Sequence, residues 1–272
     1  MTPWHPDPAW ISAVRASANQ PPRDKRLPLV AGGATIGSVE PGFLEEIAVS
    51  SKDNPAGLLL KIEQNGIIGW HLGGEVTATL GCLAEALRSA GRSPAWRNEQ
   101  LAVCDEAGRR LGTVERAMVR VLGITTHAVH LVGARADGRV WVQQRAFDKP
   151  NDPGLWDTMV GGMIAADETV LAALARETAE EAGLALDALQ PLVHGGRVVT
   201  HRPTPDASGA GYMVEQTDWY HCTVPDRMKP ENRDGEVERF ALLTRKELLA
   251  RLQRDEFTTE ASMILSAWFE LG

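Results

Sequence analysis

Glu177, Glu180 and Glu181 stand three and four residues apart in the stretch ETAEEAG, the two spacings that bring side chains together on a helix surface. Like charges so placed destabilise a helix by roughly 0.2–0.5 kcal/mol per pair, so the arrangement works against local structure unless a partner offsets it. A divalent cation would do so. Converging carboxylates supply the hard oxygen ligands that Mg2+ or Mn2+ prefers, with water and substrate phosphate completing the shell. Taken alone, E-x-x-E-E also reads as a solvated acidic face, partly offset by Arg176 four residues before Glu180.

The elements that must position these groups follow from pattern. GGMIAADETVLAALARETAEEAGL (161–184) reads as a loop entering a helix that starts near Glu168 or Thr169, with Asp167 as N-cap. At about 100° per residue, Leu171, Leu174, Ala175, Thr178 and Ala182 form one largely apolar stripe that can pack on a sheet. Upstream, THAVHLVGAR and RVWVQQR alternate like paired strands about an Asp137-Gly138 turn. AFDKPNDPGLWD is a loop, and TMVGG a short strand ending on a glycine pair. Downstream, HGGRVVTHRP, GYMVEQTDWYHCTV and VERFALLT read as strands, and RKELLARL and TEASMILSAWFEL as helices. That order fits a mixed sheet covered on both faces, an α/β/α sandwich.

Before residue 120 the texture differs, which divides the chain into residues 1–120 and 121–272. GLLLKI and GIIGWHL read as strands, and TATLGCLAEALRSAG as an amphipathic helix with Leu80, Leu83, Ala84 and Leu87 on one stripe and Gly91 as its stop. The front part is thus a smaller α+β unit. G-x-V-E recurs at Gly37–Glu40 and Gly112–Glu115, a weak internal echo that a shared hairpin-to-helix solution explains as well as duplication does.

Composition narrows the partners. The chain has 272 residues and a formal net charge of -8, which argues against nucleic acid or an anionic membrane, since both favour clustered Lys and Arg. MTPWHPDPAWISAVRAS has no apolar signal core and no stretch approaches a membrane span, so a cytoplasmic protein is expected. Cys82, Cys104 and Cys222 are widely spaced without a CxxC, the pattern of free thiols rather than a zinc site or disulfide framework. His127, His130 and His201 lack metal-like spacing and read as structural.

Gly162, Glu168, Arg176-Glu177, Glu180-Glu181 and Gly183-Leu184 resemble the Nudix box, G-x5-E-x7-R-E-U-x-E-E-x-G-U. At about 7% usage per residue type, seven fixed matches arise at a given start with probability on the order of 10^-8. Thr178 departs from the pattern, standing where the family carries a bulky aliphatic residue, and a packing adjustment is expected there.

The resemblance implies an α/β fold, the Nudix α/β/α sandwich with a mixed sheet, preceded by the smaller α+β domain. It also implies hydrolysis of a small-molecule diphosphate with Mg2+ or Mn2+. Glu177, Glu180 and Glu181 would hold the cations together with the Gly161 carbonyl, Arg176 would orient the carboxylates, and Glu168 would brace the far end of the loop and helix. Gly161 and Gly162 would let the backbone approach the metal, and Gly183 would let the chain leave the helix in a left-handed turn. The acceptor of the water proton is either a box glutamate or a later acid, with Glu236 preferred over Glu238. Trp156 could stack on a substrate ring or anchor its loop, and Arg145 and Lys149 could meet phosphate.

WRNEQLAV, GTVERAMVRVLGI and GLWDTMVGGMIAADE are similar to the Nudix subgroup related to the protein fused to thiamine pyrophosphokinase in fungi. That similarity implies thiamine diphosphate, or its oxidised forms, as substrate. Nucleoside diphosphate derivatives are the alternative. Isopentenyl diphosphate isomerases share the fold but need a cysteine on the strand before the box, and WDTMVGG has none. Non-catalytic binding modules typically lose box carboxylates, and here all are present. The N-terminal region would either cap the active site or build a homodimer.

Overall fold

The computed structural model describes residues 6–45, 47, 59–64 and 67–271. Helix α1 (Pro8–Ala18) is followed by strands β1 (Leu27–Ala31), β2 (Ala34–Val39), β3 (Leu59–Gln64) and β4 (Ile67–Leu72), then helix α2 (Val76–Ser89) and strands β5 (Gln100–Cys104) and β6 (Arg110–Glu115). β1 to β4 form one sheet in the order β2-β1-β4-β3, and β5 pairs with β6 alone. The α2 stripe is as the sequence predicts: Leu80, Leu83, Ala84 and Leu87 are at most 4% exposed, and Gly91 leaves the helix at φ 69°. β1 to β6 and α2 share one apolar core running from Leu27 to Ile124. Parts of the predicted GLLLKI and GIIGWHL strands, Gly57, Leu58 and Gly66, lie outside the described residues.

A second, larger sheet begins at β7 (Thr125–Ala134) and continues through β8 (Val140–Arg145), β9 (Trp156–Asp157), β10 (Val160–Met163), β11 (Val193–Thr204), β12 (Gly211–Thr223) and β13 (Val237–Leu243). Its order is β11-β12-β7-β8-β13, with β10 on β7 and β9 on β8. β12 runs parallel to β7 and the other pairs are antiparallel, so the sheet is mixed. Helix α3 (Val170–Ala182) lies between β10 and β11, and α4 (Arg245–Leu252) and α5 (Thr259–Glu270) end the chain.

Alternation along β7 sends Val129 and Leu131 into a core with Leu174 and Ala182 of α3, and Val132 into a core with Ile264 and Phe269 of α5. Both faces are therefore covered. Leu174 is fully buried, and truncation to Ala would cost about 2–5 kcal/mol. α1 docks Trp10 against the α5 side, and the Gln20 amide donates to the His201 carbonyl at 2.8 Å.

One departure from regular pairing opens the site. β7 meets β8 only at Gly133 and Ala134, while from Ala128 to Leu131 its partner is β10. The splay between β7 and β8 leaves a cleft with the β10 glycines on its wall.

Candidate active site

α3 starts one residue later than predicted, and its cap differs. Thr169, not Asp167, is the N-cap, accepting from the Ala172 amide at 3.2 Å. Gly183 ends the helix at φ 63°, its N–H returning to the Ala179 carbonyl, the left-handed exit that glycine permits. The buried face is also turned from the predicted stripe. Ala173, Leu174, Thr178, Glu181 and Ala182 are buried, whereas Leu171 is 51% exposed and Ala175 is exposed. At about 100° per residue, this puts Glu181 near the middle of the buried face. Thr178 fits a fully buried position by donating its hydroxyl to the Leu174 carbonyl at 2.6 Å.

The three glutamates occupy different environments. Glu180 is half-exposed, Glu177 mostly buried and Glu181 2% exposed. Arg176 ties the exposed end together. Its Nε and Nη2 donate to Glu168 at 2.7 and 2.9 Å, and its Nη1 donates to Glu177 at 2.8 Å and Glu180 at 3.0 Å. Glu168 in turn accepts from the Ala165 amide at 3.1 Å, bracing the loop to the helix. Glu181 Oε2 accepts from the Gly161 amide at 2.9 Å and from Gln143 at 3.1 Å. Burial pushes the Glu177 carboxyl up to about 7, against the pull of Arg176, and the Glu181 carboxyl up to about 8.

The glycine pair is explained by contact. A Cβ on Gly162 would overlap the Glu177 carboxylate, and one on Gly161 would come within 2.6 Å of the His130 ring. Among the described residues, no three His, Cys, Asp or Glu side chains stand ready-made as a metal cluster. Arg176 engages Glu177 and Glu180, and Glu181 faces the Gly161 amide. The donor set nonetheless fits a hard cation: all oxygen, with two buried carboxyls whose ionisation is penalised until a positive charge arrives.

The cleft holds about 450 Å³, the size of a small-molecule site. Gly161, Gly162, Arg176, Glu177 and Glu180 line one side of it, with Arg145, Lys149 and Glu236 nearby. Glu236 immediately precedes β13 and pairs with the Lys149 ammonium. Burial would raise the Glu236 carboxyl, but Lys149 outweighs it and holds the group below its ordinary value. Arg145 donates to the Asn151 carbonyl at 3.0 Å and lies 3.4 Å from Asp157.

One sequence expectation is corrected, and of the two later acids only the preferred Glu236 lines the cleft. Trp156 does not line the cleft: it is 5% exposed in the core beneath α5, with Arg251 and Arg239 stacked at 4.7 and 5.3 Å from its ring. Glu238 is exposed and also lies away from the cleft. Conversely, His130, read as structural, is a cleft residue. Thr158 Oγ1 donates to the Val160 carbonyl, so His130 Nδ1 must donate to that hydroxyl at 2.8 Å, leaving Nε2 as the free nitrogen.

Residues from outside the box were missed. Glu99, just before β5, and Arg116 and Arg120, in the turns just after β6, form a wall of the cleft. Arg116 pairs with Glu99 at 2.6 Å and Arg120 with Asp206 at 3.7 Å. The available signal was the pair of stretches WRNEQLAV and GTVERAMVRVLGI, which contain all three.

A mixed sheet between helix layers, with a glutamate-bearing helix packed against a glycine strand, defines an α/β protein of the Nudix class. The NUDIX domain model matches residues 125–263, half of the chain, and the chain belongs to this family. It is 26% identical over 183 residues to the Saccharomyces cerevisiae protein YJR142W, covering 62% of this chain and 53% of that protein. It is 31% identical over 169 residues to the isopentenyl-diphosphate Delta-isomerase of Streptomyces avermitilis, covering 61% of this chain and 82% of the isomerase. The Pseudomonas aeruginosa Nudix hydrolase PA4841 is 36% identical over 86 residues, 32% of this chain and 51% of that protein. The chain thus spans about half the length of two of these three relatives. Among solved structures, DR0079 of Deinococcus radiodurans is similar at a TM-score of 0.49 and 22% identity, covering 62% of this chain and 97% of that one. No helix among the described residues is long and apolar enough to cross a membrane.

Proposed function

We propose that this chain hydrolyses the diphosphate of a small organic diphosphate, with thiamine diphosphate or its oxidised forms as substrate. Glu177, Glu180, Glu181 and the Gly161 carbonyl would hold Mg2+ or Mn2+, which when bound neutralises diphosphate charge and favours attack of water on phosphorus. The observation that supports this best is that Glu177 and Glu180 line the cleft beside the Gly161–Gly162 pair, with Glu181 buried behind the Gly161 amide and Arg176 bridging Glu168 to Glu177 and Glu180. Arg145 and Lys149 would receive the phosphate oxygens. A phosphate that draws Lys149 away frees Glu236 to accept the proton of the attacking water. The thiamine reading draws its support from the N-terminal stretches that resemble the fungal subgroup and that also supply Glu99, Arg116 and Arg120 to the cleft.

Similarity to an isomerase offers a second reading, in which the organic diphosphate is rearranged and its phosphates are kept. It lacks a thiol: no cysteine lines the cleft among the described residues, and Cys222 is buried with its thiol pushed up to about 12. Phosphorus NMR with Mg2+ separates the readings across native and oxidised thiamine diphosphate, nucleoside diphosphate sugars, dinucleotides and isopentenyl diphosphate. Release of orthophosphate from thiamine diphosphates is expected. Turnover of nucleotides alone would remove the thiamine reading, and activity unchanged in Glu180→Gln and Glu181→Gln would remove the cation assignment.

A further inference from the structure

The cleft has a second end, away from the box carboxylates, and its charge is of the wrong sign for phosphate. Its floor is one face of neighbouring strands, from β10 through β7 and β12 to β11. On β12, Glu215 stands beside Thr126 of β7 and opposite Thr200 of β11. Two strand spacings, about 10 Å, separate it from β10 across the sheet, and the four residues from Thr126 to His130, which pairs with Gly161, add about 13 Å along it. An organic group extending along this floor from a diphosphate at the box would run toward Glu215.

Glu215 is 7% exposed and lines the cleft. Its Oε2 accepts from Thr126 at 3.1 Å, and its Oε1 has no hydrogen-bond partner among the described residues. Glu260, in the first turn of α5, is equally buried and also lines the cleft. Arg202 reaches Glu260 at 3.3 Å and Asp152 at 3.6 Å. Three carboxylates thus face one guanidinium, whereas the other cleft cations are each matched by a carboxylate as described above.

Independent of that imbalance, the face carries unmet hydrogen-bonding capacity. On the cleft wall itself Arg202 Nε has no partner among the described residues, and behind that wall the fully buried hydroxyls of Thr200, across from Glu215, and Thr217, two residues along β12, likewise have none. Buried polar groups are usually satisfied, and an excess of buried negative charge is costly unless compensated. Burial pushes the Glu260 carboxyl above its ordinary value against the pull of Arg202, the same imbalance seen from the proton's side.

We infer that this end of the cleft binds the organic half of the substrate, a nitrogen heterocycle bearing N–H donors or positive charge, with Glu215 and Glu260 as its acceptors. A second phosphate or a carboxylate is excluded here by charge. The assignment rests on the diphosphate hydrolysis proposed above, and the test keeps the two apart.

Full-length native protein, Glu215→Gln and Glu260→Gln are compared with Mg2+ on two probes: thiamine diphosphate, which carries an amino group and a cationic ring, and 2-phenylethyl diphosphate, which carries neither. Binding of thiamine monophosphate is followed in parallel by calorimetry without metal. Losing a hydrogen bond to a charged acceptor should lower kcat/KM on thiamine diphosphate about 10- to 100-fold. The rate on the phenylethyl probe should stay within about threefold of native, which also reports that the variants fold. Thiamine monophosphate binding should weaken in the same variants. Equal losses on both probes, no loss on either, or native protein that does not prefer the thiamine probe would overturn the assignment. Should neither diphosphate be hydrolysed, the hydrolytic reading fails and calorimetry alone decides: weaker monophosphate binding in Glu215→Gln upholds the subsite, and unchanged binding removes it.

Discussion

Replacing Glu181 by Gln should stabilise the metal-free protein while abolishing its response to metal. Glu181 sits near the middle of the buried face of α3, and burial pushes its carboxyl from 4.5 to about 8. For an acid raised in the folded state the sign is as follows. Below 4.5 both folded and unfolded chains hold the proton, and nothing is lost. Between 4.5 and 8 the unfolded chain releases a proton that the folded chain keeps, so stability falls as pH rises. Above 8 the full penalty is present. At 1.36 kcal/mol per decade this amounts to about 5 kcal/mol. Gln retains a carbonyl oxygen for the Gly161 amide and for Gln143, so the exchange removes charge more than contact. Urea unfolding in EDTA should find Glu181→Gln more stable than native by a few kcal/mol at pH 9, with the gap closing toward pH 5. Adding Mg2+ should raise the native midpoint, because a ligand that binds only the folded state stabilises it, and should leave the variant unmoved. Hydrolysis by the variant should fall at least about 100-fold. A variant less stable than native in EDTA at pH 9, or one stabilised by Mg2+ as strongly as native, would refute this account of Glu181.

Three further outcomes are expected. Gly162→Ala places a methyl on the Glu177 carboxylate and should lower kcat about 100-fold by misplacing it, with the far-UV circular dichroism unchanged; retained activity would mean that Glu177 is free to move. Lys149→Met removes the ammonium that holds Glu236 below its ordinary value, so the acid limb of the pH–rate profile should move to higher pH, and an unmoved limb would show that Glu236 is not the base. Trp156→Phe should lower stability by about 1–3 kcal/mol and leave KM unchanged, since its ring is held between Arg239 and Arg251; a raised KM at native stability would return the ring to the substrate.

What could be read from the sequence was whatever lies close together in it. The acidic helix, the glycine pair on its short strand and the α2 stripe are local patterns found in the fold, whereas the three glutamates do not share one surface, since Glu181 is buried. What could not be read was orientation. Trp156 and Asp157 are adjacent on β9, and the pleat sends neighbours to opposite faces, so one enters the core and the other the cleft. Nothing in the dipeptide says which. The apolar stripe of α3 failed similarly: Leu171 and Ala175 suit a buried face by composition, but the face packed on the sheet carries Glu181, which accepts from Gly161 of β10 and Gln143 of β8. Glu215, Glu260 and Arg202 come together only because β7, β11, β12 and α5 do, and no periodicity in the chain anticipates that meeting.

The unequal burial of the three glutamates answers the question raised by their spacing. Mutual repulsion on the helix surface is relieved in two ways: Arg176 lies against Glu177 and Glu180, and Glu181 is withdrawn into the core where its proton is retained. A cation entering from solvent, as proposed above, would meet the exposed Glu180 first. To gain Glu177 and Glu181 it would have to displace Arg176 from Glu177 and a proton from Glu181, so its binding would release protons and tighten as pH rises. The guanidinium stays within reach of Glu168 at the other end of the loop, which lets it give up Glu177 without losing all its partners. On the proposed cation assignment, Arg176 and the proton favoured on Glu181 would balance the box charge before a cation binds.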